Sequence, residues 1–117
     1  IGYEFCCPHA FHLSGGAGDV ERMITASAPK LREVHVADAL NHAANDGNRY
    51  IVNPPGVDAR VHQHAEIGRG EVPFDRVFAT LREIAFDGIV SVCVFGWHED
   101  ADNINRRMLT RIQQELG

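Results

Sequence analysis

The stretch from Glu71 to Gly96, EVPFDRVFATLREIAFDGIVSVCVFG, decides the fold class, because it contains a helix followed by a strand. Apolar side chains recur at helical spacing from Phe74 to Ala85, and Pro73 stands where a helix begins. An Asp-Gly turn follows, and Ile89 to Phe95 is predicted to form a strand. This strand is apolar on both faces, which is typical of a parallel sheet covered by helices.

The rest of the chain follows the same order of elements. Tyr3 to Cys7 and Leu31 to Ala37 are predicted strands, and a helix that begins after Asp19 and ends at Pro29 lies between them. Asp100 is predicted to cap a last helix. The order of strand, helix, strand, helix, strand, helix predicts an α/β fold of three β/α units, with parallel strands and right-handed crossovers.

Two segments show little periodicity. His9 to Gly18 is predicted to be a loop, since Ser-Gly-Gly breaks its second half. Asp38 to Gly70 is much longer. A compact domain rarely keeps about 30 residues without regular structure unless they line a site. The second segment is therefore the first indication of function.

Three parallel strands are few for a complete fold. An eight-stranded β/α barrel needs about 250 residues, and three eighths of that is about 94. The 117 residues, which begin with Ile1 rather than Met, fit three barrel units and one long insertion. We expect residues 1–117 to be one partial TIM-barrel domain. Its open edges and exposed apolar strand faces predict self-association into a homo-oligomer.

Composition and charge exclude several classes of function. Hydrophobic residues make up 44% of the chain and charged residues 23%, as in globular proteins. The net charge of −5, with scattered Lys and Arg, disfavours nucleic-acid and anionic-membrane partners. No apolar run approaches the roughly 20 residues of a membrane span. Three cysteines do not form a disulfide framework and predict reduced thiols in a cytoplasmic protein.

Residues with reactive or metal-binding side chains stand at the predicted strand ends, where parallel α/β folds place their active groups. They are Cys6 and His9 after the first strand, His35 and Asp38 at the second, Cys93 in the third, and His62 and His64 in the long loop. Imidazole and thiolate ligands suit zinc or another borderline metal.

Other interpretations of the same residues stay open. A His-x-His pair in a loop is more often a surface or hydrogen-bonded pair, and a cysteine in an apolar strand is more often a small core residue. A Cys nucleophile with His9 as its base is also conceivable. We expect His12, His42 and His98 to be loop residues.

Three segments resemble the end of xylose-isomerase-like barrels: CPHAFH from Cys7 to His12, HVADALNHAANDGNRYIVNPPG from His35 to Gly56, and VHQHAEIGRGEV from Val61 to Val72. The nearest similarity is to the IolH-like proteins of inositol catabolism. This superfamily includes sugar isomerases and epimerases as well as endonuclease IV. The resemblance implies that the three strands are the sixth, seventh and eighth of the barrel, its C-terminal part.

The resemblance also implies a divalent metal at the barrel mouth, with zinc expected and manganese or cobalt as alternatives. The sixth-strand Asp of the family falls on Cys6, the seventh-strand His on His35, and the eighth-strand Glu on Cys93. A further His of the family falls on His9. The fifth-strand Glu would lie before Ile1.

Two more features complete the expected site. The Asp-x-His of the endonuclease branch falls on His62-x-His64. Asp38 and Arg60, together with His9, are the predicted contacts for substrate hydroxyls or phosphate. The predicted metal ligands are His35 and His64, then Cys6, Cys93, His9 and His62.

The expected function is metal-assisted isomerisation or epimerisation of a sugar, polyol or inositol derivative in carbohydrate metabolism. The metal would hold neighbouring substrate oxygens and acidify a C–H bond next to a carbonyl. The 117 residues alone are expected to be inactive, since one ligand and five strands are missing. The alternatives are a non-catalytic α/β module that self-associates through its strand edges and, least favoured by the charge, a nuclease like endonuclease IV.

Overall fold

The computed structural model describes residues 1–14, 18–40, 64–94 and 100–117 of the chain. They form three strands and four helices in the order β1 (Tyr3–Cys6), α1 (Cys7–Leu13), α2 (Val20–Ser27), β2 (Leu31–Val36), α3 (Phe74–Glu83), β3 (Ile89–Val92) and α4 (Ala101–Leu116). In this part of the chain no helix is both long enough and apolar enough to cross a membrane.

The three strands form one parallel sheet with β2 in the middle. Cys6 of β1 lies opposite His35 of β2, and His35 lies opposite Ser91 of β3. The predicted α/β fold with parallel strands is confirmed. Because the strands are parallel, their carboxyl ends meet at one edge of the sheet. In the described part of the chain, β1 and β3 each pair with β2 alone.

One face of the sheet carries the hydrophobic core. Alternate strand residues such as Phe5, Val34 and Val36 are almost fully buried there. The helices cover this face with apolar residues at helical spacing, such as Val77 and Leu81 of α3. Further core residues come from the other helices: Val20 and Ile24 of α2, and Ile104, Met108 and Ile112 of α4.

The opposite face differs from the sequence-based expectation. We expected apolar side chains on both faces of the third strand and on the exposed face of the sheet. The register instead places Glu4 beside Glu33, and His35 between Cys6 and Ser91. Ile89, which is 63% exposed, is the large apolar exception on this face. The open face is therefore mostly polar, and apolar exposure is a weaker reason for self-association than predicted.

Helix α1 corrects the predicted loop over residues 9–18. The chain leaves β1 at Cys6 and enters the helix directly, with Pro8 in its first turn. Proline suits that position because its fixed φ is helical and its missing N–H has no partner there to lose. Cys7 and Phe11, four residues apart, bury the inner side of the helix. His12, predicted in a loop, lies buried in α1.

The ends of two other elements also differ from prediction. β3 ends at Val92, although Cys93 continues the ladder through its backbone N–H, which donates to the Val36 carbonyl. Asp100 is the residue before α4, but its side chain makes no bond to the helix backbone. It accepts hydrogen bonds from the side chains of Asn103 and Arg107 instead, so Asp100 stands at the predicted position but does not form the predicted N-cap hydrogen bond.

Asp38 anchors the segment from residue 64 to residue 72. This carboxylate is 1% exposed and follows β2 directly. One oxygen accepts hydrogen bonds from the backbone N–H groups of Ala39 and Val72, at 2.9 and 3.0 Å, and the other from Gly68 at 2.8 Å. Asp38 and Ala65 also exchange two backbone hydrogen bonds. The side chain and the backbone of Asp38 together therefore hold residues 65, 68 and 72 in place.

Glycine is required twice in this segment. Gly68 has a φ of 92°, in the left-handed region. A Cβ on Gly70 would come within 2.5 Å of the Asp38 carboxylate and 2.6 Å of the Ala39 carbonyl oxygen. The Gly-x-Gly of this segment thus serves the anchoring of Asp38. Glu66 adds a link to α4 through both of its oxygens, which accept from Arg107.

We predict that Asp38→Asn lowers the free energy of unfolding by about 2 kcal/mol. The new side-chain NH₂ group would point at one of the backbone N–H groups that Asp38 now binds, and that N–H would be buried without an acceptor. Urea unfolding followed by circular dichroism measures the change. Asp19→Asn is the matched control. Asp19 caps α2 by accepting from the Arg22 N–H, and Asn keeps that acceptor, so a loss under about 0.5 kcal/mol is expected. Equal losses in the two variants would contradict the anchoring role.

Candidate functional site

Cys6 is the centre of the candidate site. It is the last residue of β1, and α1 starts at the next residue. The first helical turn brings the side chain of His9 back over the strand end, and its Nδ1 lies 2.7 Å from the Cys6 Sγ. The abrupt change from strand to helix is therefore what pairs this thiol with an imidazole.

His64, the first described residue after position 63, reaches the same point. The bridge between Asp38 and Ala65 holds the backbone next to it, and its side chain is buried. Its Nε2 lies 3.6 Å from the Cys6 Sγ, and its ring meets that of His9 edge to face with 4.7 Å between centroids. We call Cys6, His9 and His64 the Cys6 triad. All three are predicted metal ligands that the fold brings together.

The Cys6 triad has the donor chemistry of a zinc site. Its ligand atoms all lie within 4.8 Å of one another. In tetrahedral zinc coordination, a sulfur and a nitrogen ligand are about 3.5 Å apart. The separation of Cys6 Sγ and His64 Nε2 fits this value, whereas the 2.7 Å between Cys6 and His9 has to widen by a small rotation. The residues present therefore fit a borderline metal such as zinc.

A second set of polar groups surrounds His35 on the open face of the sheet. Its Nδ1 lies 3.2 Å from Oε1 of Glu4 and its Nε2 lies 3.2 Å from Oε1 of Glu33. Ser91 donates a hydrogen bond of 2.6 Å to the same Glu33 oxygen. This bond is the main reason that the pKa of Glu33 is lowered. Burial acts against it by raising the pKa, and His35 lowers the pKa further through its hydrogen bond and charge. We call Glu4, Glu33, His35 and Ser91 the His35 network.

The thiols in the site are held in their protonated form. Burial is the main reason that the pKa of Cys6 rises to about 11. A hydrogen bond from the backbone N–H of His9 lowers this pKa, and the nearby Cys93 and Glu4 raise it. Burial likewise raises the pKa of Cys93, with Glu4 and Glu33 adding to it, and burial in the core raises that of Cys7. A Cys nucleophile needs the opposite shift, so the metal-free site does not favour that alternative.

The remaining predicted site residues are placed less closely. Cys93 is half-buried and lies near the negative charges of Glu4 and Glu33. Two clusters of possible ligand atoms are found among the described residues, the Cys6 triad and the set of Glu4, Cys6 and His35, and Cys93 is in neither. Asp38 uses both oxygens on backbone N–H groups, so its contact with substrate stays a prediction. Arg60 and His62 lie outside the described residues.

Sequence reasoning missed Glu4 and Glu33. Each stands two residues before a predicted ligand, Cys6 or His35, and alternation along a strand puts such residues on the same face. That spacing was the available signal. Charged residues in a strand are more often solvent contacts, which concealed it.

We predict that iodoacetamide modifies Cys6 about tenfold more slowly in the folded, metal-free chain at pH 7.5 than in the same chain in urea. A pKa near 11 in place of the reference value of 9.0 leaves about a hundredfold less thiolate, and the higher nucleophilicity of a more basic thiolate recovers about tenfold. Peptide mapping by mass spectrometry measures the rate at each cysteine. The rate should rise with pH up to about 11. Equal rates for Cys6 in folded and unfolded chain would contradict the raised pKa.

Comparison with known proteins agrees with the fold described above. The family model described as "Xylose isomerase-like TIM barrel" matches residues 1–112. A crystal structure of a xylose isomerase domain protein from Planctomyces limnophilus is similar, with a TM-score of 0.61 and 19% identity, over 97% of this chain. The chain spans 36% of the length of that structure. At this identity the likeness shows the fold alone. Among curated proteins, none matches the chain in sequence.

Proposed function

The chain belongs to the family of xylose isomerase-like TIM barrels, and on that premise we propose that it carries the metal-binding strand ends of a sugar or polyol isomerase or epimerase. The observation that carries the proposal is the Cys6 triad at the carboxyl edge of the sheet. Barrel enzymes place their active sites at this edge. An inositol derivative is the substrate that we propose within this class, from the sequence resemblance.

We propose zinc as the ion, with cobalt or manganese as alternatives, and the residues of the Cys6 triad as its main ligands. A bound divalent ion polarises substrate oxygens and makes an adjacent C–H bond more acidic. Sulfur and imidazole together favour zinc or cobalt over manganese, which prefers oxygen ligands. His62 and Cys93 remain proposed ligands in addition to the triad.

The side chains of this chain then have separate tasks. Cys6, His9 and His64 hold the ion, and Asp38 supports the position of His64 through its backbone bridge to Ala65 and its side-chain bonds to Gly68 and Val72. The carboxylates of Glu4 and Glu33 lie on the same face of the sheet, next to His35. Substrate oxygens would approach from the polar face. Arg60 is proposed to add a positive charge for hydroxyls or phosphate.

The activity of the whole protein is part of the proposal, because the chain spans 36% of the structure that it resembles. We propose that these residues correspond to barrel strands six to eight and that the 117-residue chain alone is not a competent isomerase. A barrel closes only when each edge strand has a second neighbour. A cytoplasmic location, suggested by the reduced thiols, is likewise a proposal.

The metal part of the proposal predicts at least one zinc or cobalt ion per chain in protein purified without a histidine tag. Elemental analysis measures the metal, and chelator should lower the melting temperature, since an ion at 100 times its Kd stabilises the folded state by about 2.7 kcal/mol. Cys6→Ser and His9→Ala should each reduce the bound metal. Glu83→Gln, an exposed change at the end of α3, is the control and should retain it.

Metal-free protein whose melting temperature does not respond to chelator would contradict this proposal. Circular dichroism of each variant shows whether a loss of metal comes from the missing ligand or from unfolding.

A second candidate function, a self-associating α/β module without catalysis, is favoured by the edges of β1 and β3, each of which pairs only with β2 among the described residues. Unpaired parallel edges bind further strands. The prediction is a homo-oligomer in sedimentation experiments at micromolar concentration. A clean monomer would contradict it.

A further inference from the structure

The residues that follow His64 are held by two different parts of the fold. Ala65 exchanges two backbone hydrogen bonds with Asp38, just after β2. The next two residues, Glu66 and Ile67, are bound by side chains of α4 instead. The segment beside His64 therefore has a second support, which comes from the layer of helices and not from the sheet.

Arg107 of α4 binds Glu66 through two parallel hydrogen bonds. Its Nε donates to Oε1 of Glu66, and its Nη2 donates to Oε2 at 3.0 Å. The Glu66 side chain is only 13% exposed. A bidentate pair between an arginine and a mostly buried carboxylate has a defined geometry, unlike most ion pairs at a protein surface. Asp100 accepts a further bond from the same Nη2 at 3.1 Å and so helps to hold the guanidinium in place.

Met108, the neighbour of Arg107 in α4, binds the next residue of the segment. The backbone N–H of Ile67 donates to the Met108 Sδ at 3.3 Å, and Met108 is 1% exposed. A thioether sulfur is a weak acceptor, so this bond adds to the ion pair and does not replace it. Two consecutive residues of α4 thus bind two consecutive residues of the segment.

The contacts of His64 with its neighbours are sensitive to small movements. Its Nε2 lies 3.6 Å from the Cys6 Sγ, and its ring lies 4.7 Å from that of His9, centroid to centroid. Groups that act together in a site have to be held within about 0.5 Å of their working positions. Because one residue separates His64 from Glu66, a backbone movement at Glu66 is carried directly to the imidazole.

We propose that Arg107 is a positioning residue for His64, and that through Glu66 it couples α4 to the Cys6 triad. The inference rests on the proposed function only for the role of His64 as a metal ligand. The place of His64 in the metal-free chain does not depend on that role, so the two can be tested separately.

Nuclear magnetic resonance of the metal-free 117-residue chain tests the proposal. The carbon-bound ring protons of His9 and His64 should show a nuclear Overhauser effect, because the two rings are in contact. Arg107→Ala should abolish this effect or reduce it severalfold, since its intensity falls steeply with distance. Arg107→Lys keeps the charge but not the two parallel bonds, so it should give an intermediate intensity.

Arg76→Ala is the matched control. Arg76 of α3 forms a bidentate pair with Glu21 of α2, and it is 59% exposed, against 50% for Arg107. This pair joins two helices and does not include the segment beside His64. The control should therefore retain the nuclear Overhauser effect. Urea unfolding of each variant shows that it is folded and how much stability it has lost.

Binding of Co²⁺ gives a second measurement, which does depend on the proposed function. Arg107→Ala should weaken binding about tenfold, as is usual when a residue that supports a metal ligand is removed. Glu66→Gln should have a similar effect. The double variant should be little worse than either single one, because the two changes remove the same interaction.

The outcomes distinguish the positioning role from the proposed function. A His9–His64 effect that persists in folded Arg107→Ala, or that is lost equally in Arg76→Ala, overturns the positioning role. Its selective loss in a chain that binds no metal supports the positioning role and contradicts the metal site. Its absence from the wild-type chain overturns both. If Arg107→Ala does not fold, an unchanged effect in Arg107→Lys overturns the positioning role and a reduced one supports it.

Discussion

The site depends on a single buried carboxylate. Asp38 binds three backbone N–H groups, those of Ala39, Gly68 and Val72, so this side chain joins the end of β2 to residues 68 and 72. His64 stands immediately before the residue that bridges to Asp38. Together with the backbone bridge, the carboxylate supports the position in which the imidazole of His64 meets Cys6, 58 residues away along the chain. The same carboxylate accounts for Gly70, whose missing side chain leaves room for it.

The sheet separates two kinds of chemistry. Its helix-covered face buries Phe5, Val34 and Val36, which supply the hydrophobic stabilisation of the described residues. Its other face carries the carboxylates, thiols and imidazole of the candidate site. In a closed barrel the second face would be the interior, where polar groups near the carboxyl ends of the strands act on a substrate. The alternation of side chains along each strand therefore makes one sheet serve both stability and function.

The sequence was sufficient to predict the elements with strong periodicity. The three strands, α2, α3 and α4 follow from apolar spacing and from Pro and Gly at their ends. The strand-end rule predicted Cys6 and His9 as site residues, and the His-x-His pair and the family resemblance predicted His64. Helix α1 was missed because seven residues contain too few apolar positions to show a helical period. The carboxylates of Glu4 and Glu33 were missed because their role depends on strand register, which is a property of the tertiary structure.

The sequence resemblance implies that thiols replace carboxylates at these strand ends, which would change how the candidate site acquires charge. An aspartate at the end of β1 would be negative in the empty protein. Burial instead keeps the pKa of Cys6 near 11, so the thiol is neutral at physiological pH until a cation displaces its proton. The empty site therefore avoids a buried anion next to Cys93 and Glu4, and under the proposed function it is the bound ion that would turn the thiol into a thiolate. Metal binding, rather than the fold alone, would then create the charge distribution that a substrate meets.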